Sequence, residues 1–217
     1  MKKSGVLFLI ISVGFLLTGC FGPVVRPTAD FTWCPNGWDG LLSYWFVSQS
    51  TTVPGHYITS VTWDFGDGVV LPDSYWEASH RFDEEGTYKV TLIVTDDRGV
   101  SETVTKDVPV IAVAVIREWE LTPGWPVKVV GEVANRHDET LDLVTIKAKF
   151  YNADGVRLTD GIVDISDLAP GECARFTVAA EASSNEILSA SVFVESFVTE
   201  CPQIPYPPIP VIDDATR

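Results

Sequence analysis

The chain has 217 residues, a formal net charge of −15 and a pI near 4.4, and 46% of its residues are hydrophobic. That hydrophobic content is sufficient for a buried core, and the length suggests one or two domains. Such a negative surface repels phosphate backbones and offers no basic patch to anionic lipids, which excludes a nucleic-acid partner.

The first 20 residues have the pattern of an export signal. Lys2 and Lys3 precede an apolar run of about a dozen residues, which is too short to cross a bilayer comfortably. The run ends in Leu-Thr-Gly-Cys at residues 17–20, which resembles the bacterial lipobox. This resemblance implies removal of residues 1–19, acylation of Cys20 and attachment to the extracytoplasmic face of the cell membrane. The alternative is an uncleaved anchor with an ordinary cysteine.

Strand patterns begin after a Pro-containing tether at residues 20–27. Aromatic residues make up 11% of the sequence, and 16 glycines and 14 prolines interrupt it at short intervals, which favours strands and turns over helices. Between residues 86 and 96, every second residue is apolar, as in a half-buried strand. Short strands of this kind recur up to residue 110 and predict a β-sandwich.

The most specific motif of this half is a run of six residues: Trp63, Asp64, Phe65, Gly66, Asp67 and Gly68. His-Arg-Phe follows at 80–82, and Gly-Thr-Tyr-Lys-Val-Thr-Leu follows at 86–92. Together these residues resemble the PKD domain over residues 28–111. The resemblance implies an immunoglobulin-like sandwich of extracellular proteins that is generally not catalytic. The segment 34–56 is longer and more aromatic than the family suggests.

A second set of strands is predicted after a linker at residues 112–125. Val144, Ile146, Ala148 and Phe150 alternate with polar residues and are expected to face inward. Three short motifs lie at 131–135, 150–155 and 168–172, reading Gly-Glu-Val-Ala-Asn, Phe-Tyr-Asn-Ala-Asp-Gly and Leu-Ala-Pro-Gly-Glu. They resemble the FxLYD family over residues 126–201, although Asn152 stands where Asp is usual. That resemblance implies another small β-sandwich of exported, often lipid-anchored proteins.

The fold expected from these patterns is all-β, with two immunoglobulin-like β-sandwich domains in tandem after a lipoprotein signal peptide. The linker is apolar, so we expect Val110–Val115 to continue the last strand of the first domain. Trp119 and Trp125 are then expected to pack at or near the domain interface and to restrict the orientation of the domains; alternatively, each ring caps its own sandwich and the domains tumble independently. The Pro-rich residues 202–217 are either a disordered end or a partner-docking segment or spacer.

Three cysteines remain after Cys20, so at most one disulfide can form within the chain. Cys173 and Cys201 flank the predicted last hairpin and are the expected pair, which leaves Cys34. No two cysteines have the spacing of a zinc site. The acidic residues at the loop ends, Asp64, Asp67, Asp96 and Asp97, are Ca²⁺ candidates by chemistry, but Asp64 and Asp67 are expected to bond to turn amides instead.

Several aromatic side chains are candidates for a binding surface. Rings in or beside loops can stack on sugars or proteins, or can plug the ends of a sandwich; those predicted here are Trp38, Trp45, Tyr57, Tyr75 and Trp76. Trp33 and Trp63 lie in strand patterns and are expected in the core. The sequence contains no nucleophile–base signature and no phosphate loop, so we expect no catalytic residue, metal site or cofactor.

The function expected from the sequence is that of a non-enzymatic, lipid-anchored extracytoplasmic binding or scaffold protein. Its expected partners are the membrane, through lipid on Cys20, and a protein or cell-envelope polysaccharide. Two other roles remain open: a carbohydrate-binding module that uses the loop aromatics, and an accessory subunit of a membrane complex docked by the Pro-rich tail.

Overall fold

The protein consists of β-strands that form two sandwiches in tandem. The structure is a computed structural model that describes residues 24–74, 76–181 and 185–200. All regular structure in these ranges is strand, which confirms the all-β prediction. Among these residues, no helix has the length and hydrophobicity needed to cross a membrane. The predicted signal peptide, Cys20, Tyr75, Cys201 and the Pro-rich tail lie outside the described residues.

The first sandwich packs two antiparallel sheets around an aromatic core. Its strands are β1 (Phe31–Pro35), β2 (Ser43–Ser48), β3 (Ile58–Asp64), β4 (Val70–Ser74), β5 (Glu77–Arg81), β6 (Gly86–Asp96) and β7 (Ser101–Val110). One sheet has the order β1-β2-β5 and the other β4-β3-β6-β7. Trp63 is fully buried between them, with its ring centroid 5.3 Å from that of Phe31. The prediction that Trp63 belongs to the core is therefore confirmed.

The second sandwich has the same two-sheet arrangement with an aliphatic core. Its strands are β8 (Ala114–Thr122), β9 (Lys128–Asn135), β10 (Leu141–Tyr151), β11 (Arg157–Leu168), β12 (Cys173–Ala179) and β13 (Ser189–Thr199). The sheets have the orders β12-β9-β8 and β11-β10-β13. Val144, Ile146, Ala148 and Phe150 on β10 are all buried, as their alternation predicted.

The connection between the sandwiches is shorter than predicted. Strand β8 lies inside the range 112–125 that was assigned to the linker, and it pairs with β9 at the edge of a sheet. β7 ends at Val110, so Val110–Val115 is not one continuous strand. Val113 is fully buried in the second core, which explains why this stretch is apolar. Only residues 111–113 separate β7 from β8.

Trp119 and Trp125 do not pack at the domain interface, contrary to the prediction. Trp119 lies on β8 opposite Gly131 and is 42% exposed. Trp125, in the turn before β9, is 73% exposed. Both rings lie away from the contacts that join the sandwiches, such as those of Gly37 with Phe197 and Tyr44 with Ile111.

The predicted Cys173–Cys201 disulfide is also wrong. Cys173, at the start of β12, is a free thiol whose sulfur accepts a hydrogen bond from the Arg117 guanidinium at 3.3 Å. Cys34, on β1, is disulfide-bonded instead. Closeness in the predicted hairpin was therefore a poor guide to pairing, because cysteine connectivity depends on contacts between distant segments.

Candidate functional site

The six-residue motif at 63–68 builds the turn between β3 and β4. Oδ1 of Asp64 accepts a hydrogen bond from the Gly66 amide at 3.0 Å, and Oδ1 of Asp67 accepts one from the Val69 amide at 3.0 Å. These are the turn hydrogen bonds predicted from the sequence. Gly66 has a φ of +77°, and a Cβ there would lie 2.7 Å from the Lys89 carbonyl oxygen, so only glycine fits.

His80 is a structural partner of this turn. Its Nε2 lies 2.7 Å from Oδ2 of Asp67, and its ring stacks on Phe65 with centroids 4.0 Å apart. Burial alone would raise the pKa of Asp67, but hydrogen bonds from His80 and the Val69 amide outweigh it and lower the pKa below its usual value. The packed position expected for His80 is confirmed.

Asp96 organises the opposite end of the sandwich, at the β6–β7 turn. Its buried carboxylate accepts hydrogen bonds from the Arg98 guanidinium and from the amides of Arg98 and Val100. Burial would raise the pKa of Asp96, but these donors outweigh it and lower the pKa to about 2. Arg98 also donates to the Val25 carbonyl at 2.8 Å, which fastens the tether to this turn.

The acidic loop ends are therefore engaged in turn and ion-pair contacts. Asp97, the fourth Ca²⁺ candidate, pairs with Nδ1 of His56 at 3.0 Å. Among the described residues, no cluster of three or more His, Cys, Asp or Glu side chains has a metal-binding arrangement.

The predicted binding aromatics lie at two different ends of the first sandwich. Trp38 and Trp45 lie together beside the second sandwich, and they are 81% and 40% exposed. Tyr57 is exposed too, but its amide and carbonyl bond to Asp97 at the β6–β7 turn. The Trp76 carbonyl accepts from the Ser48 amide at the far end of β2. The structure thus brings together Trp38 and Trp45 but not Tyr57 or Trp76.

The Trp38–Trp45 groove has walls from both sandwiches. The first sandwich contributes the end of β1, the loop after it and β2, and the second contributes the end of β13; the lining residues are Pro35, Asn36, Gly37, Trp38, Trp45, Phe197, Val198 and Thr199. Two exposed indoles in one concave site offer flat apolar surface to a ligand.

Polar side chains form a network beside the two indoles. Asn36 Nδ2 donates to Ser79 Oγ at 3.2 Å, and Ser79 Oγ donates to Asp39 Oδ2 at 3.2 Å. The Asp39 backbone carbonyl in turn accepts from the Arg81 guanidinium at 3.5 Å. This network fixes the loop that carries Trp38 and places amide, hydroxyl and carboxylate groups next to the rings.

The groove depends on a close approach of the two sandwiches. A Cβ on Gly37 would lie 2.1 Å from the Phe197 carbonyl oxygen, so the loop backbone rests directly on β13. Leu41 from the same loop packs on the second core. No other residue type could occupy position 37 without moving one sandwich.

A second set of contacts holds the short connection in place. The Tyr44 hydroxyl donates to the Ile111 carbonyl at 3.2 Å, and the Ile111 amide lies 3.0 Å from the same hydroxyl. Glu85 Oε1 accepts from the Ala112 amide at 2.8 Å and from Arg136 at 2.6 Å. These hydrogen bonds lower the pKa of Glu85 below its usual value.

Sequence reasoning identified the two indoles but missed the residues that frame them. Asn36, Asp39 and Ser79 are ordinary polar residues without a motif, and Phe197 lies in the other domain. The available signal was the unusual length and aromatic content of residues 34–56, which contain the loop at this site.

Two sandwiches of antiparallel sheets in tandem define an immunoglobulin-like β-sandwich protein, and an aromatic groove lies where its domains meet. The family model for the PKD domain matches residues 26–111, so the first sandwich is a PKD domain. The microbial collagenase of Vibrio alginolyticus is 40% identical over 67 residues, which are 31% of this chain and only 8% of that protein.

Solved structures that are similar to this chain include the following two. The PKD1 domain of Vibrio anguillarum Epp has 30% identity, with 39% of this chain and 93% of that domain covered and a TM-score of 0.35. A carbohydrate-binding module of the β-sandwich superfamily has 14% identity, with 79% of this chain and 97% of that one covered and a TM-score of 0.37.

Proposed function

We propose that the protein is a lipid-anchored, extracytoplasmic, non-enzymatic binding protein that uses the Trp38–Trp45 groove to contact the cell envelope. The observation that carries this proposal is the pair of exposed indoles in a groove built by both sandwiches. Large rings left in water are costly unless a ligand covers them, and here the chain holds two of them in one concave site.

The lipid anchor is proposed from the Leu-Thr-Gly-Cys motif at residues 17–20 and would act through the tether. Val25 is fastened to Arg98, and Arg26 donates to the Ser101 carbonyl at 2.9 Å, so the chain leaves the PKD domain at the β6–β7 turn. The groove lies at the other end, next to β13. A lipid on Cys20 would therefore hold the turn towards the membrane and leave the groove free for a ligand.

The anchor is tested by Cys20→Ala in the full chain. We expect a fatty-acid analogue to label the wild type and not the variant, because the acyl chains need the Cys20 sulfur or the new amino terminus. The variant should also move from the membrane to the soluble extracytoplasmic fraction. Equal labelling of both proteins would contradict the anchor, while loss of export would be seen as retention of the uncleaved chain.

A cell-envelope polysaccharide is the ligand that the groove favours. Sugar rings present apolar faces to indoles and hydroxyls to polar groups, and the amide, hydroxyl and carboxylate of Asn36, Ser79 and Asp39 lie beside Trp38 and Trp45. A protein ligand would use the same rings. The Pro-rich tail favours the further role of an accessory subunit in a membrane complex.

The ligand class is tested with residues 21–217 on a glycan array and against isolated envelope proteins. Trp38→Ala and Trp45→Ala should each weaken binding about twofold to tenfold, because an aromatic contact contributes about 0.5–1.5 kcal/mol. Trp119→Ala is the matched control, since Trp119 is as exposed as Trp45 but lies away from the groove. Equal losses in all three variants would refute the groove.

The second sandwich is proposed to be an FxLYD-like module. The turn at Asn152 supports this, because its Oδ1 accepts from the amides of Asp154 at 3.0 Å and Val156 at 2.9 Å, the role expected of Asp at that position. Its contribution to the groove through Phe197 would make it part of the binding site. Asn152→Asp should keep the melting temperature of the second sandwich, whereas Asn152→Ala should lower it.

A further inference from the structure

The partner of Cys34 can be narrowed to two residues. The sequence has four cysteines, Cys34 is disulfide-bonded and Cys173 is a free thiol. The bond must therefore join Cys34 to Cys20 or to Cys201, and both of these lie outside the described residues. The two alternatives differ in consequence, because Cys20 precedes the PKD domain and Cys201 follows the second sandwich.

The groove places the chain before Cys201 next to Cys34. Thr199, the last residue of β13, lines the same groove as Pro35, which follows Cys34 on β1. Cys201 is two residues beyond Thr199, and two residues span at most about 7 Å. Disulfide-bonded cysteines have Cα atoms about 4.4–6.8 Å apart, so two residues of chain after Thr199 are enough to reach a partner on β1.

The described start of the chain lies at the other end of the sandwich from Cys34. Val25 is fixed to Arg98 at the β6–β7 turn, whereas Cys34 lines a cleft with Pro109 at the other end of β7. Ser101 and Pro109 are separated by roughly 26 Å of strand. The five residues from Val25 back to Cys20 cover at most about 18 Å when fully extended. A lipid on the Cys20 sulfur would block a disulfide as well.

We propose that Cys34 and Cys201 form a disulfide that joins the PKD domain to the end of the second sandwich. Two thiols lose two protons and two electrons to an extracytoplasmic protein-disulfide oxidant, which is reduced to its dithiol. Export supplies the oxidising surroundings that such a bond needs. The partly exposed Cys173, bonded to Arg117, remains a thiol in the same molecule.

The bond is a second covalent connection between the sandwiches, in addition to residues 111–113. It lies beside the close approach of Gly37 to Phe197 and therefore fixes both walls of the Trp38–Trp45 groove. The disulfide can be detected without any ligand. A negative result would therefore refute the disulfide without refuting the proposed binding function, and the reverse also holds.

Tryptic digestion distinguishes a Cys34–Cys201 disulfide from a Cys34–Cys20 disulfide. The exported full chain is alkylated under denaturing, non-reducing conditions and digested. Trypsin does not cleave before Pro27, so Cys20 and Cys34 share one peptide that ends at Arg81, while Cys173 lies in 158–175 and Cys201 in 176–217. We expect the Cys34 peptide to be linked to 176–217 until reduction, and 158–175 to be alkylated beforehand. A disulfide internal to the first peptide, or one that includes 158–175, would overturn the proposal.

Two single variants provide a matched check on the same full chain. In Cys201→Ser, Cys34 should become alkylated without reduction, because its partner is gone. In Cys173→Ser, Cys34 should stay protected. If Cys34 stays protected in Cys201→Ser as well, the bond is made elsewhere and the proposal is wrong. Alkylation of Cys34 is measured on tryptic peptides, so both variants can be assessed whether or not their stability changes.

Discussion

The cores of the two sandwiches differ in the kind of side chain that fills them. In the PKD domain, rings dominate, and the ring pairs found among the described residues all lie in this half; for example, the Phe46 and Phe65 centroids are 5.3 Å apart. In the second sandwich, valine, leucine and isoleucine surround Phe150, Phe176 and Phe197. The two halves therefore bury similar sheets with different chemistry.

The difference explains why the first half has the more specific sequence signature. Rings pack with specific orientations, and Phe65 also stacks on His80, which pairs with Asp67, so few residue combinations fit. Aliphatic cores tolerate exchange among side chains of similar volume. The family model accordingly covers residues 26–111 and ends where the aliphatic half begins.

The largest expected effect is that of Trp63→Ala in the aromatic core. The ring is fully buried, so its removal should cost about 3–5 kcal/mol of unfolding free energy. Ile146→Val in the aliphatic core should cost only about 0.5–1.5 kcal/mol. Urea denaturation of residues 21–217 measures both. A loss below about 1 kcal/mol for Trp63→Ala would show that the aromatic core is as tolerant as the aliphatic one.

Gly37→Ala should have the next largest effect, at the boundary between the halves. The new Cβ would collide with the Phe197 carbonyl, and such overpacking costs about 1–3 kcal/mol. Solution scattering should show a wider range of interdomain angles. Gly86→Ala is the control, because a Cβ there meets only the Tyr88 ring at 3.5 Å. Unchanged scattering and stability in Gly37→Ala would refute the close approach.

Acid should weaken the PKD domain through Asp96. Its folded pKa of about 2 lies below the usual aspartate value of 3.8, so its stabilising contribution is complete above about pH 4 and is lost as pH falls towards 2. Asp96→Asn should therefore lower the melting temperature at pH 7 and have a much smaller effect near pH 2. An effect of equal size at both pH values would mean that the charge of Asp96 does not stabilise the turn.

The smallest expected effect is that of Ca²⁺. The Asp64 and Asp67 carboxylates already accept turn amides, and Asp67 also pairs with His80. Millimolar Ca²⁺ should raise the melting temperature no more than Mg²⁺ does. A rise specific to Ca²⁺ that disappears in Asp67→Asn would reverse this expectation.

Sequence patterns correctly predicted the features that depend on residues close together in the chain. The alternation on β10 gave the buried face of that strand, and the spacing of Asp64 and Asp67 from the following amides gave the turn hydrogen bonds. Trp63 was assigned to the core for the same reason. These features depend on residues close in sequence, so they could be derived without a structure.

The site and the domain junction could not be derived in this way. Gly37 meets Phe197, and Trp45 shares a groove with Thr199, across more than half of the chain. The apolar residues 110–125 were correctly taken as buried in part, but as a linker rather than as β8, because an edge strand with exposed Trp119 has a weak alternation. Cysteine pairing depends on the same distant contacts.

The attachment of Val25 to the β6–β7 turn determines how far the Trp38–Trp45 groove would lie from the membrane. With a lipid on Cys20, the long axis of β7 separates the membrane from the end of the PKD domain where Pro35 and Trp38 lie, a distance of roughly 26–33 Å. At that distance, the indoles of Trp38 and Trp45 would not contact the lipid headgroups. The ligands within range are those that rise above the bilayer, such as polymers of the envelope or the outer parts of neighbouring proteins.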